Sequence, residues 1–274
     1  MSFRDRRHIV AQHLLWNPLG YWLLRFGKGV VRRFETILLN HSLHSPTNGE
    51  YWLLSQLPTS GTVTVFDVGF HTGDFSARVL EARPEASIVA FDPWRPARQA
   101  CANRFPDDKR IRFESLALSN SEGFARFHDY GNMCNSLASR TDAGNQCEGY
   151  DVPVSTLAAW CISNDVSRIS LLKIDAEGFD LPVMQGAEAF LRESRIDLIM
   201  FEYATGWIAA RNFLGDAAAF FRPLPYTLHR LFNGFLAPYS YDLLDEAPGL
   251  RAGMFVATAN DSPWASRITR REAP

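Results

Sequence analysis

From about residue 61 the chain alternates short apolar runs with amphipathic stretches. Val63–Asp67 (VTVFD) reads as a first strand, and Gly73–Ala82 as the helix that follows it. Ser87–Asp92 (SIVAFD) predicts a second strand, Arg95–Phe105 a helix, and Ile111–Ala117 a third strand. Ile169–Asp175 (ISLLKID) and Ile196–Glu202 (IDLIMFE) are two more strands, separated by a helix over Leu181–Leu191. Residues 205–222 read as a further helix. Tyr226–Phe232, the Asn233-Gly234 turn pair and Met254–Thr258 predict late antiparallel strands at a sheet edge. Apolar strands alternating with helices specify an α/β fold: a mostly parallel, seven-stranded sheet with helices on both faces.

Two segments break this rhythm. Residues 118–156 are polar, with short strand-like pieces, GFARFHDY and YDVPVSTL, and read as an insertion within a main domain of residues 46–274. Residues 1–45 form an N-terminal helical extension broken at Asn17-Pro18-Leu19-Gly20. There Arg4, Arg6, Arg7, Arg25, Lys28, Arg32 and Arg33 face only Asp5 and Glu35, and Trp16, Trp22, Leu23 and Phe26 lie between them. A basic amphipathic arm can pack on its own domain as a lid, join a second copy as a homodimer, or lie on a membrane surface.

The formal net charge of -2 gives no global attraction to nucleic acid, so no nucleic-acid partner is expected. No apolar run reaches the ~18 residues of a membrane span. The first residues lack the small-residue cleavage site of a signal peptide. Cys101, Cys134, Cys147 and Cys161 have no zinc-ligand spacing, which predicts free thiols and a cytoplasmic setting.

Candidate chemistry begins at FDVGFHTGDFS, Phe66–Ser76. Ligands of open α/β sheets bind beyond the carboxyl ends of the strands, and this loop follows the first one. A dinucleotide fingerprint needs a second glycine where the backbone closes on pyrophosphate, and here His71 stands at that position. No Gly-Lys-Ser/Thr follows, so a Walker loop is excluded too. Asp67 and Asp92 end successive strands, with Gly69 and Gly73 after the first. That pattern suits S-adenosylmethionine. Asp92 would accept from its ribose hydroxyls. The backbone at the Gly73 helix start would meet its carboxylate, and Asp67 its ammonium. The plainer reading is that both acids cap the following helices.

These residues resemble the FkbM family of S-adenosylmethionine-dependent methyltransferases, which have the Rossmann-like class I methyltransferase fold. FDVGFHTGDFS is similar to the family's D-V-G-A-N-x-G-x-x-S loop, and AFDPW to its A-F-E-P segment. SLALSNSEG, VSTL, LLKIDAEGFDLPVMQGAEAFL, IMFEY and the lead-in NGEYWLL also match, so the resemblance runs from about residue 48 to 203. Phe70 and His71 replace the family's Ala-Asn, Ala158 stands where an aspartate is usual, and Asp180 replaces a glutamate. The resemblance implies that Glu50, Asp67, Gly69, Phe70, His71, Gly73, Asp74, Phe75 and Asp92 surround the cofactor. Pro93, Trp94 and Asp175 would join them, and Leu116 and Ala117 would present backbone to the adenine.

Methyl transfer needs alignment and, for a hydroxyl acceptor, proton removal. His71 is a candidate base, since an imidazole titrates near neutral pH. Asp175, Glu177 and Glu202 follow two strands whose ends lie side by side, and are the other catalytic candidates. Three such acids suit Mg2+. Otherwise Asp175 contacts cofactor, Glu177 caps a helix and Glu202 pairs with a cation. Lys173 is expected to pair with a carboxylate, because an unpaired buried ammonium is costly. Aromatic residues crowd the stretch from Tyr203 to Tyr241, which favours an apolar or aromatic small-molecule acceptor. The expected activity is O-methylation in natural product biosynthesis or sugar modification. The alternatives are a lipid-linked acceptor at a membrane, and a non-catalytic protein that keeps the fold.

Overall fold

Strand β1 (Thr64–Val68) pairs in parallel on both sides, and the residues from Val65 to Val68 are all buried. The computed structural model that shows this describes residues 40–132, 134–139, 147–242, 252–262 and 264–271, with scattered positions between 19 and 34. β2 (Ser87–Phe91) flanks β1 on one side, with β3 (Ile111–Glu114) beyond it. The other elements of the large sheet are β7 (Ile169–Ile174), β8 (Ile196–Tyr203), β9 (Tyr226–Phe232), β10 (Phe235–Pro238) and β11 (Gly253–Ala259). The order is β10-β9-β11-β8-β7-β1-β2-β3. β11 inserts antiparallel between β8 and β9, and the remainder from β8 to β3 is parallel. This is the Rossmann-like class I methyltransferase arrangement. The sheet has eight strands, not the expected seven, because the Asn233-Gly234 turn adds β10 as a hairpin partner of β9.

The period of two along each strand divides the core. Val65, Ile88, Leu171 and Leu198 pack with Leu53 and Leu54 of α1 (Glu50–Ser55) and Val79 of α2 (Asp74–Ala82). Phe66, Phe91, Leu172 and Ile199 face the other way. They meet Trp160 of α4 (Leu157–Ser163), Met184 of α5 (Asp180–Gly186), Phe190 of α6 (Glu188–Arg192), Trp207 of α7 (Thr205–Ala209) and Phe221 of α8 (Leu214–Phe221). α3 (Arg95–Arg104) covers Ala90 through Ala97 and Cys101. Two helices expected as single runs are each broken. The 181–191 segment splits at Ala187, after Gly186 packs so tightly on Ser119 that a Cβ would lie 2.0 Å from its carbonyl oxygen. The 205–222 segment splits at Arg211, whose φ is 60°.

The insertion folds into its own three-stranded sheet, in the order β4 (Ala117–Leu118), β6 (Glu148–Ser155), β5 (Gly123–Asp129). Backbone contacts divide the chain into a unit running to His41 and a second from Ser42. In the first, the described positions between 19 and 34 are helical and Trp22 stacks on Phe26, ring centroids 5.6 Å apart. The expected break at residues 17–20 lies largely outside the described residues. In the second, a C-terminal stretch runs along the outer side of β10. There the Leu236 N–H donates to Thr269 O at 2.9 Å, and the Arg271 N–H to Leu236 O at 2.9 Å.

Register also places one buried ion pair. Asp67 of β1 lies opposite Lys173 of β7. The Lys173 ammonium is 3.6 Å from Asp67 Oδ1 and 3.2 Å from Asp175 Oδ2, and it donates to the Gly69 carbonyl at 3.4 Å. Burial works against its charge, but Asp175, Asp67 and Glu50 outweigh that and raise its pKa. Removing the cation strands the Asp67 carboxylate, which has no exposed surface. Lys173→Met is therefore expected to cost about 3–5 kcal/mol in urea unfolding, and adding Asp67→Asn should recover most of it. A double variant as unstable as the single one would show that shape, not charge, matters here.

Candidate functional site

The carboxyl ends of β1, β2 and β7 open into a cleft with about 750 Å³ of empty space, continuous with solvent. Gly69 admits the first wall. Its φ is +83°, and a Cβ there would sit 2.0 Å from the Asp175 carbonyl oxygen, so the loop packs against the end of β7 only as glycine. His71 follows with a left-handed φ of 50°. Its N–H donates to Asp92 Oδ2 at 2.7 Å, and its ring stacks on Trp94 at 4.9 Å with 15° between planes. The Trp94 N–H donates to Asp92 Oδ1 at 2.8 Å. Both Asp92 oxygens thus take one backbone N–H and keep further lone pairs for a ligand. Burial pushes this carboxyl up to about 6, against the pull of the two N–H groups.

Gly69, His71, Asp92, Pro93, Trp94, Leu116, Ala117, Asp175 and Glu177 all line the cleft, and the first eight are residues expected around a cofactor. Glu50, Asp67, Phe70, Gly73, Asp74 and Phe75 do not line it. Asp67 is turned beneath the loop, where Oδ2 accepts from Ser76 Oγ at 2.7 Å. Glu50 is buried at the start of α1, and burial pushes it up to about 7 with Lys173 opposing. Phe70 packs edge-on against Phe113, and its ring fills the space beside Gly73 where a Cβ would come within 2.4 Å. Phe75 lies below the Lys173 ammonium, 5.4 Å from ring centre to Nζ. Asp74 points to the surface and pairs with Arg104 at 2.8 Å. Asp67, Phe70 and Phe75 thus lie behind the loop.

Glu202 lies apart from the cleft, in a second, smaller cavity of about 180 Å³ shared with Asp175, Glu177 and Asp180. Burial, then the charges of Asp175, Glu177 and Asp180, push Glu202 up to about 9. Burial and Asp175 push Asp180 up to about 8. Among the described residues no three His, Cys, Asp or Glu side chains are arranged to hold a metal ion. The Mg2+ expected at Asp175, Glu177 and Glu202 is thus not shown by this arrangement, and Asp175 pairs with Lys173 at 3.2 Å.

The insertion supplies lining residues that the sequence did not single out: Phe127, Asn135, Ser136 and Leu137. The insertion is tied to both sides of the cleft. Trp94 Nε1 donates to Asp129 Oδ2 at 3.0 Å. Ser136 Oγ lies 3.2 Å from Ala176 O and 3.1 Å from Glu177 O, donating across that pair. A polar Asn-Ser step inside an aperiodic stretch was the one available signal.

A family model described as the methyltransferase FkbM domain matches residues 67–228. The 2-O-methyltransferase NoeI of Sinorhizobium fredii is 25% identical over 154 residues, 51% of this chain and 63% of that protein. The match thus spans less than two thirds of that relative's length. Among solved structures, the precorrin-6y C5,15-methyltransferase of Geobacter metallireducens aligns at a TM-score of 0.39 and 10% identity, covering 75% of this chain and 85% of its own. An rRNA methylase of Streptococcus thermophilus aligns at 0.41 and 11%, covering 77% and 93%. At such values the fold is read from strand order and register.

The raised carboxyls set a pH dependence. Between the unfolded carboxylate range near 4 and their folded values of about 7 to 9, Glu50, Asp180 and Glu202 hold protons that the unfolded chain has lost. Stability therefore falls as pH rises through that window. Urea midpoints at pH 5.5 and 8.5 should show a lower value at pH 8.5, and Asp180→Asn should shrink the gap. A midpoint that climbs with pH would contradict the assignment.

Proposed function

Because the chain belongs to the FkbM methyltransferase family, we propose that it moves a methyl group from S-adenosylmethionine to a hydroxyl oxygen of a small-molecule acceptor, a sugar or a natural product. The observation that carries the cofactor is Asp92. It directly follows β2 at the cleft wall, is oriented through both oxygens by backbone N–H groups, and has lone pairs left for two ribose hydroxyls. The His71 ring lines the cleft where a dinucleotide loop has its second glycine, which favours a ligand without pyrophosphate. Leu116 and Ala117 offer backbone and apolar surface beside it.

The donor supplies a methyl group already activated on a sulfonium. The chain's own residues supply orientation, a shielded cleft and a place for the acceptor's proton. Glu202, at about 9, is protonated at neutral pH and in the wrong state to remove a proton. Asp175 is engaged by Lys173. His71 and Glu177, both on the cleft wall, are our candidates to accept it. The 2-O-methyltransferase relative favours oxygen as the acceptor atom.

A second reading puts the acceptor at an anionic membrane. In the N-terminal unit Leu19, Trp22, Phe26 and Phe34 are exposed, with Arg25 and Arg33 on the same segment. Among the described residues no helix is long and apolar enough to cross a membrane, so this reading means contact with its surface. Co-sedimentation of the full chain with phosphatidylglycerol vesicles, but not with phosphatidylcholine ones, is its expected result.

For the main reading, calorimetry should give micromolar binding of S-adenosylhomocysteine and none of NAD. Affinity should drop about tenfold per pH unit below the Asp92 value of about 6, because protonation takes a lone pair from the ribose. Asp92→Asn should weaken binding and flatten that dependence. No binding by well-folded protein would remove the cofactor assignment.

A further inference from the structure

Trp94 stands where three parts of the fold meet. Its backbone N–H holds Asp92, it precedes the first turn of α3, and its ring packs against apolar clusters of both the main sheet and the insertion. His71 stacks on the indole, ring centres 4.9 Å apart and planes within 15°. The one polar atom of the indole, Nε1, donates to Asp129 Oδ2 at 3.0 Å.

The His71 ring depends on that stack. A φ of 50° is uncommon for a residue with a side chain, and with the N–H bond to Asp92 it fixes where the side chain leaves the backbone. Two rotatable bonds then remain, and the contact with Trp94 sets them. Whatever holds the indole therefore holds the imidazole too.

Asp129 ends β5 and begins the turn to Gly131, whose N–H its Oδ1 accepts at 2.9 Å. Each carboxylate oxygen thus has one donor. The turn bond aims the group, and the other oxygen takes the indole. A carboxylate accepts an N–H more strongly than a neutral group does, and a ring held in advance costs less to order when a ligand arrives. Asp129 does not line the cleft, but Trp94 and His71 both do.

We propose that Asp129 is a positioning residue of the cofactor site. Through Nε1 it fixes the Trp94 indole, and through the indole the His71 ring, so that two stacked rings and the Asp92 carboxylate form one preset wall for a nucleoside. The insertion then takes part in holding the methyl donor. This rests on the reading of the cleft as a nucleoside site.

The test measures S-adenosylhomocysteine affinity by calorimetry for the full chain and three variants. Asp129→Ser cuts the indole bond from one end: its hydroxyl can take over the Gly131 N–H but is too short to reach Nε1. Trp94→Phe cuts the same bond from the other end and keeps a ring to stack. The third variant combines them. Wild type should bind in the micromolar range, and each single variant about fivefold more weakly. Where Trp94→Phe has already removed the indole N–H, Asp129→Ser should add less than a twofold loss. A role confined to the turn, or to the charge of Asp129, would cost the same on both backgrounds. The second readout is the His71 ring-proton resonance of isotope-labelled protein, identified by its absence from His71→Gln. The stacked indole shields it in wild type, and Asp129→Ser should move it toward the free-histidine position. Equal losses on the two backgrounds, either single variant within twofold of wild type, or an unmoved His71 resonance would overturn this inference alone. A wild type that binds nothing would instead overturn the cleft assignment beneath it.

Discussion

One buried ammonium organises the end of the sheet where ligands bind. Lys173 sits in a strand otherwise made of Ile, Leu and Ser, and the parallel register sets it beside Asp67. Its reach extends to Asp175 and to the Gly69 carbonyl, so a single cation joins the end of β1, the end of β7 and the loop between sheet and α2. The loop approaches Asp175 so closely that only glycine fits. Charge and sterics thus work on the same contact: the carboxylates hold the cation, the cation holds the loop, and the loop forms the cleft wall. Glu50, though remote in sequence, is also close enough for its field to be felt by Lys173.

The insertion has a different task. It does not extend the main sheet. It stands over the cleft and is fastened on one side by Trp94 to Asp129 and on the other by Ser136 to the carbonyls after β7. Those two ties reach the ends of β2 and β7, which flank β1. The cleft is therefore bordered by an element tied to the strand ends on both sides of β1.

Much of this was legible in the sequence, for identifiable reasons. Buried parallel strands are nearly continuous apolar runs, so β1, β2, β7 and β8 were found to within one or two residues. The loop residues Gly69, His71 and Asp92 were found because their spacing is tied to backbone geometry. The depth of each side chain was not legible. Asp67 and Phe70 flank lining residues in sequence, yet turn inward, because strand alternation and one glycine decide which side faces the ligand. The helix breaks at Ala187 and Arg211 depend on tertiary contacts that no local propensity records. Asn135 and Ser136 were missed for the same reason: nothing local in the insertion says which of its residues meet the cleft.

The two margins of the large sheet carry one last consequence. At one margin β3 is only four residues long and bears the Arg112–Glu114 pair, 2.6 Å apart. At the other, β10 ends in Pro238, and its outer backbone is already bonded to the stretch containing Thr269 and Arg271. A sheet finished in this way offers little template to a foreign strand, which protects it against edge-to-edge aggregation. Self-association of this chain through the margins of the large sheet is thereby disfavoured.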